Sequence, residues 1–78
     1  MTNNVFEFQF NNARSKPLSL RIEPWGDVSK IEPGHSLRLR VEGPISDDPS
    51  RCLMVQIDSD DNASVFGWSG SAITVVTT

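Results

Sequence analysis

Cysteine and histidine are almost absent from this sequence. Its 78 residues include 1 cysteine, Cys52, and 1 histidine, His35. A lone cysteine excludes an internal disulfide, so the core has to be stable without one. A structural zinc site needs four Cys or His ligands, and a blue-copper site needs two histidines. Metal centres of both kinds are therefore excluded.

Long apolar runs, a secretory signal and an excess of basic charge are also missing. No segment approaches the ~20 apolar residues that span a bilayer, and no apolar stretch follows Met1-Thr2-Asn3-Asn4. We therefore expect no membrane contact and a cytoplasmic location, with an exported mature form as the alternative. The net charge of −3 disfavours binding to a phosphate backbone, and so disfavours nucleic acid as a partner.

The short chain leaves little room for an enclosed site. A single domain of 78 residues buries only about 60% of its unfolded surface, which allows one thin core and no deep cavity. Neither a nucleophile elbow nor a glycine-rich phosphate loop is present. We therefore expect a protein that is not an enzyme and holds no cofactor.

Period-2 alternation of apolar and polar residues runs through most of the chain and is typical of half-buried strands. It predicts strands at 5–10, 18–23, 27–31, 36–42, 51–58, 63–68 and 71–77, with turn-forming residues between them. No segment has a helical period with caps. The sequence therefore predicts one all-β domain over 1–78, a small sandwich, immunoglobulin-like or cupredoxin-like, of six or seven short antiparallel strands.

The alternation also predicts which side chains form the core. Twelve apolar residues face inward in four of these strands: Phe6, Phe8, Phe10, Leu18, Leu20, Ile22, Leu37, Leu39, Val41, Leu53, Val55 and Ile57. Phe66 and Trp68 share a face of their strand and are also expected to point inward. Cys52 is predicted to be a half-buried apolar filler rather than a reactive thiol.

Two short motifs lie in the middle of the chain. Glu23-Pro24-Trp25-Gly26 ends one predicted strand, and Pro33-Gly34 forms a turn before the next. With these motifs the segment resembles a group of small uncharacterised bacterial proteins, and the likeness covers about a third of the chain. It implies a compact β-sandwich, and it implies no activity and no site residues.

An acidic loop is the first candidate site. Asp58, Asp60, Asp61 and Asn62 offer hard oxygen ligands of the kind that calcium prefers. However, Ala63 stands where a helix–loop–helix calcium motif has its glycine. The alternative is a solvated hairpin tip in which these side chains stabilise the turn.

Two tryptophans and a group of arginines are further candidates. Trp25 and Trp68, if exposed, suit stacking on a sugar or anchoring a protein partner, and otherwise they cover the core. Arg38 and Arg40 lie on the outward face of one strand, near Arg21 if the strands are neighbours. They suit a phosphate or an acidic peptide, or else cross-strand ion pairs.

The two terminal strands are the last candidates. Residues 71–78 carry no charge and no proline and are rich in β-branched side chains, so at a sheet edge they would invite pairing with another chain. The same holds for 5–10 at an opposite edge. We therefore expect a non-catalytic interaction module that contacts a protein partner or a second copy through its surface or an edge strand. The alternative is a ligand-binding protein, with a cation at 58–62 or a carbohydrate at the tryptophans.

Overall fold

Seven strands and no helix make up the described structure. The computed structural model describes residues 3–44 and 52–76. Its strands are β1 (Asn3–Asn11), β2 (Leu18–Glu23), β3 (Asp27–Ile31), β4 (Ser36–Pro44), β5 (Met54–Ser59), β6 (Asn62–Phe66) and β7 (Ala72–Val76). The predicted all-β sandwich is confirmed. The loop predicted at 43–50 lies outside the described residues, except for Gly43 and Pro44, which extend β4. No helix in the described part of the chain is long and apolar enough to cross a membrane.

The strands form two packed sheets. One has the order β1-β4-β7 and the other has the order β3-β2-β6-β5. The first and last strands of the chain therefore lie on either side of β4 in the three-stranded sheet. Neighbouring strands are antiparallel except for β2 and β6, which are parallel. Alternation alone predicted only antiparallel strands, because period-2 patterning does not encode strand direction.

The core lies between the sheets and follows the predicted inward faces of β2 and β4. Leu20, Leu39, Val41 and Val65 are fully buried. Ile31 and Ala63 join them from β3 and β6, while Phe8, Phe10, Leu53 and Ile73 pack around this cluster. The core is thin, as the chain length requires.

The prediction that Val55 and Ile57 belong to the core is wrong. They pair with the buried Val65 and Ala63 and so point to the core side of the sheet. Yet Ile57 is 72% exposed and Val55 46%. The reason is the unequal width of the sheets: β5 is an edge of the four-stranded sheet, and in the described residues the three-stranded sheet does not cover it. Only Leu53, just before β5, packs against the core.

Two further packing predictions need correction. Phe66 pairs with Glu23, one position out of phase with the buried Val65, so it lies on the outer face of its sheet. Trp68 lies beyond the end of β6, and its half-buried ring packs on Phe6, which points to the core side of the other sheet, in agreement with the predicted inward position. Cys52 is exposed rather than half-buried.

Candidate functional site

The open edge of β7 is the feature that most resembles an interaction site. β7 pairs with β4 over five positions, from Arg38 opposite Val76 to Glu42 opposite Ala72. In the described residues no strand lies on its other side. Within the described residues, alternate backbone N–H and C=O groups along that side are therefore unpaired and suit pairing with another strand.

A tight turn sets the position where β7 begins. The amide of Ser71 donates to the carbonyl of Trp68 at 2.9 Å, and the positive φ of Gly70 suits the third residue of such a turn. The Ser71 hydroxyl accepts a hydrogen bond from the Trp68 amide and donates one to the Trp68 carbonyl. The start of β7 is therefore tied to the end of the β6 segment.

Trp68 and Gly43 fix this turn against β4. The indole Nε1 of Trp68 donates to the Pro44 carbonyl at 3.0 Å. Its ring stacks on Phe6 with centroids 6.4 Å apart and planes 9° apart. A Cβ at Gly43 would lie 2.7 Å from the Cα of Ser71, so only glycine allows this approach. Trp68 therefore serves the packing of β7 rather than presenting a free stacking surface.

Charged side chains lie one strand away from the open edge, on the outer face of β4. Arg40 faces Glu7 across β1 and Thr74 across β7, and its guanidinium lies 3.9 Å from the Glu42 carboxylate. Arg38 lies opposite Val76, and the described residues offer it no ion pair. The two predicted binding arginines thus border β7 rather than form a basic patch with Arg21, which lies in the other sheet.

The other three edge strands carry features that discourage pairing. β3 has Asp27 and Lys30, and β5 has a register shift between Ile57 and Ser59 beside Asp58. β1 carries Glu7 at its centre. Charges and irregularities of this kind protect natural edges. Of the four edge strands in the described structure, only β7 has no charged residue.

The acidic loop uses its polar groups within the protein. Arg14 binds Asp61 at 2.7 Å and also donates to the Asp60 carbonyl. Asn62 donates to the Ser59 hydroxyl at 2.9 Å. No three Asp, Glu, His or Cys side chains converge on a possible metal position within residues 3–44 and 52–76. The geometry is that of a stabilised hairpin between β5 and β6.

Asp58 lies apart from this hairpin tip, on the outer face of the four-stranded sheet. Its two carboxylate oxygens accept hydrogen bonds from the hydroxyl of Ser64 and the amide of Gln56. These bonds, from Ser64 above all, lower the pKa of Asp58, with a smaller contribution from Arg21. The same face holds a shallow groove of about 470 Å³ that reaches from Val28 to Phe66.

The remaining candidates lie at the ends of the sandwich. Trp25 is 48% exposed in the turn between β2 and β3, so half of its surface is available for a contact. A second groove of about 530 Å³ is lined by Phe10 and Ile57, where β1 and β5 border the same open side of the sandwich. Neither feature brings together a set of catalytic groups.

Comparison with known proteins identified no relative of this chain. No protein-family model matches the chain, and no curated protein or solved structure does so either. The resemblance to small bacterial β-sandwich proteins therefore stays a prediction, and the functional argument depends on the geometry alone.

Proposed function

We propose that this protein is a non-catalytic protein-interaction module that adds a strand of its partner to the open edge of β7. The observation that supports this most strongly is the composition of that edge. It is regular, uncharged and β-branched, whereas each other edge of the sandwich carries a charge. Strand addition uses main-chain hydrogen bonds for affinity and needs no enclosed pocket, which suits so thin a core.

The exposed side chain of Val75 gives the edge a second source of affinity. Val75 pairs with the buried Leu39, so it points to the core side of its sheet, yet it is 44% exposed. A strand added beside β7 would cover this surface and satisfy the free backbone groups in the same step. Hydrogen bonds and apolar burial would therefore act together along one strand.

The proposal is tested by placing a charge on β7 and on the opposite edge of the same sheet. Val75→Lys puts an inward-pointing charge on β7, which is how natural edges block pairing. Val5→Lys is the control for a charge on an exposed edge valine, because Val5 is 47% exposed on the outer face of β1. Tagged forms of both variants and of the unmodified chain are expressed in the cells from which the chain comes, and captured partners are identified.

We expect the unmodified chain and Val5→Lys to capture the same partner. The amount of that partner captured by Val75→Lys should be at least tenfold lower. In the complex, amide exchange should slow within residues 72–76. Thermal unfolding of both variants shows that they remain folded. Equal capture by Val75→Lys, or protection confined to another edge, would overturn the proposal.

A further inference from the structure

We infer that the strand added to β7 is β7 of a second copy of this chain, related to the first by a two-fold axis. This inference rests on the proposed use of the β7 edge. Antiparallel pairing of two β7 strands joins the sheets into one of six strands, β1-β4-β7-β7-β4-β1. Three observations favour this occupant: the residue pairs, the charge rows and the closure of the assembly.

The β7 strand is complementary to itself in the antiparallel direction. A two-fold axis at Thr74 places Thr74 opposite Thr74 of the second copy. Ile73 then lies opposite Val75 on the core side, and Ala72 lies opposite Val76 on the outer side. All five described residues of β7 find a partner, and Thr–Thr and β-branched pairs are favourable across strands. The exposed Val75 of each copy therefore gains Ile73 of the other copy as an apolar neighbour.

The charges bordering β7 also match in this register. Arg38 lies opposite Val76 and Glu42 opposite Ala72. Since Val76 would face Ala72 of the second copy, each Arg38 lies in one row with Glu42 of the other copy, across two small side chains. Arg38 has no ion pair in the described part of the chain, and this row sets an opposite charge in line with it, three strand spacings or about 14 Å away between Cα atoms. The two Arg40 side chains lie in one row, three strand spacings apart. Glu7 and Glu42 lie beside each of them and offset the repulsion.

The symmetry explains why β7 rather than β1 forms the contact. A two-fold pairing of β1 with full overlap centres on Glu7 and sets two carboxylates directly opposite, which is unfavourable. In such a dimer the open edge of β7 in each copy is paired with that of the other copy. No β7 edge is left for a third copy, so the assembly closes at two copies. A five-residue ladder buries little surface, so we expect dissociation constants between about 10 µM and 1 mM.

Cross-linking tests the register directly. The background is Cys52→Ser, since Cys52 is exposed. Thr74→Cys places two sulfurs on residues whose Cα atoms are about 5 Å apart in the dimer, within the range of a disulfide. Ala72→Cys is the control: its two copies lie four residues apart along the ladder, about 14 Å, too far to join. Under mild oxidation at about 0.5 mM we expect Thr74→Cys to form a disulfide dimer at least tenfold faster than Ala72→Cys.

A charge swap gives a second readout that does not depend on oxidation. Thr74→Glu alone sets like charges opposite on the two-fold axis, and so does Thr74→Lys, so each variant should sediment as a monomer at about 1 mM. An equimolar mixture should dimerise, with an affinity at least tenfold higher than that of either variant alone. Circular dichroism of each variant confirms the β fold.

The second-copy inference is overturned if the unmodified chain sediments as a strict monomer at about 1 mM, if Thr74→Cys and Ala72→Cys cross-link at equal rates, or if the charge swap has no effect. These results leave the β7 edge function standing as long as Val75→Lys still loses a different captured partner. If Val75→Lys loses nothing, the proposed function fails as well.

Discussion

At the scale of single residues, Asn12 shows how a polar side chain stabilises a connection. It is 2% exposed, and its Nδ2 donates to the carbonyls of Lys16 and Ile31 at 2.7 and 2.8 Å. Its Oδ1 accepts the amide of Arg14 at 3.1 Å. All the hydrogen-bonding groups of this buried amide are therefore used, which a leucine or an aspartate would not achieve.

Asn12 also shows what the sequence could not reveal. It lies in a polar stretch that predicts a surface turn, and nothing in the residue types separates it from Asn11 beside it. Its burial depends on β3 approaching from elsewhere in the chain. Position-by-position reading identifies turn formers, but it does not identify the turn residue that the rest of the fold encloses.

Asp58 provides a prediction about pH. Hydrogen bonds from Ser64 and Gln56 hold the pKa of Asp58 below its ordinary value of 3.8. A lowered folded-state pKa means that the ionised carboxylate contributes stability above the unfolded-state pKa. That contribution is lost as the pH falls through the folded-state pKa. Ser64→Ala removes the largest cause, so we expect the pKa of Asp58 to rise toward 3.8 and the acid loss of stability that this carboxylate causes to become smaller.

The measurement is a carbon-detected NMR titration of the Asp58 carboxyl between pH 7 and 2 in the unmodified chain and in Ser64→Ala. Ser59→Ala is the control, because the Ser59 hydroxyl bonds to Asn62 and not to Asp58. The Ser59→Ala titration should match that of the unmodified chain. An Asp58 titration that Ser64→Ala leaves unmoved would show that the hydroxyl does not act on this carboxylate.

At the scale of strands, the two sheets differ in how far alternation predicts burial. On β2 and β4 every predicted inward residue is buried, because both strands are central and the other sheet covers them. On β5 the same pattern leads to exposed Val55 and Ile57. Alternation reports which face a side chain takes, whereas burial also requires a strand opposite that face. The local pattern of one strand does not indicate how many strands the opposing sheet has.

This difference predicts unequal effects on stability. Ile57→Ala removes methyl groups that are already mostly in water, so we expect it to lower the free energy of unfolding by less than about 1 kcal/mol. Leu20→Ala empties a fully buried position and should cost about 2–5 kcal/mol. Urea unfolding of both variants checks this. A loss at Ile57 as large as that at Leu20 would mean that β5 is covered in solution.

The terminal strands show the opposite case, in which the sequence pattern pointed to strands that the structure places at sheet edges. Residues 5–10 and 71–77 were expected to invite pairing if they lay at sheet edges, with pairing inside the fold as the alternative. The structure places β1 and β7 at the two edges of one sheet, with each paired to β4 on its inner side. Strand order follows from contacts distant in sequence, so only the composition of these edges was predictable.

At the scale of the whole molecule, small size leaves little room for an enclosed site. The described residues form a core that a few aliphatic side chains fill, and the grooves on the sandwich are shallow and open. The acidic loop and Trp68 are used in packing and turn structure. Among the four edge strands of the described residues, β7 alone is uncharged, and its open backbone edge is the basis of the function we propose.

The most direct test of this account is amide exchange along β7 of the unmodified, isotope-labelled chain, measured at about 20 µM and again at about 1 mM. We expect the β7 amides that point away from β4 to exchange rapidly in the dilute sample. In the concentrated sample their exchange should slow several-fold, while amides of β3 and β5 keep their rates. Exchange along β7 that does not depend on concentration, or slowing that appears at another edge instead, would contradict self-pairing through β7.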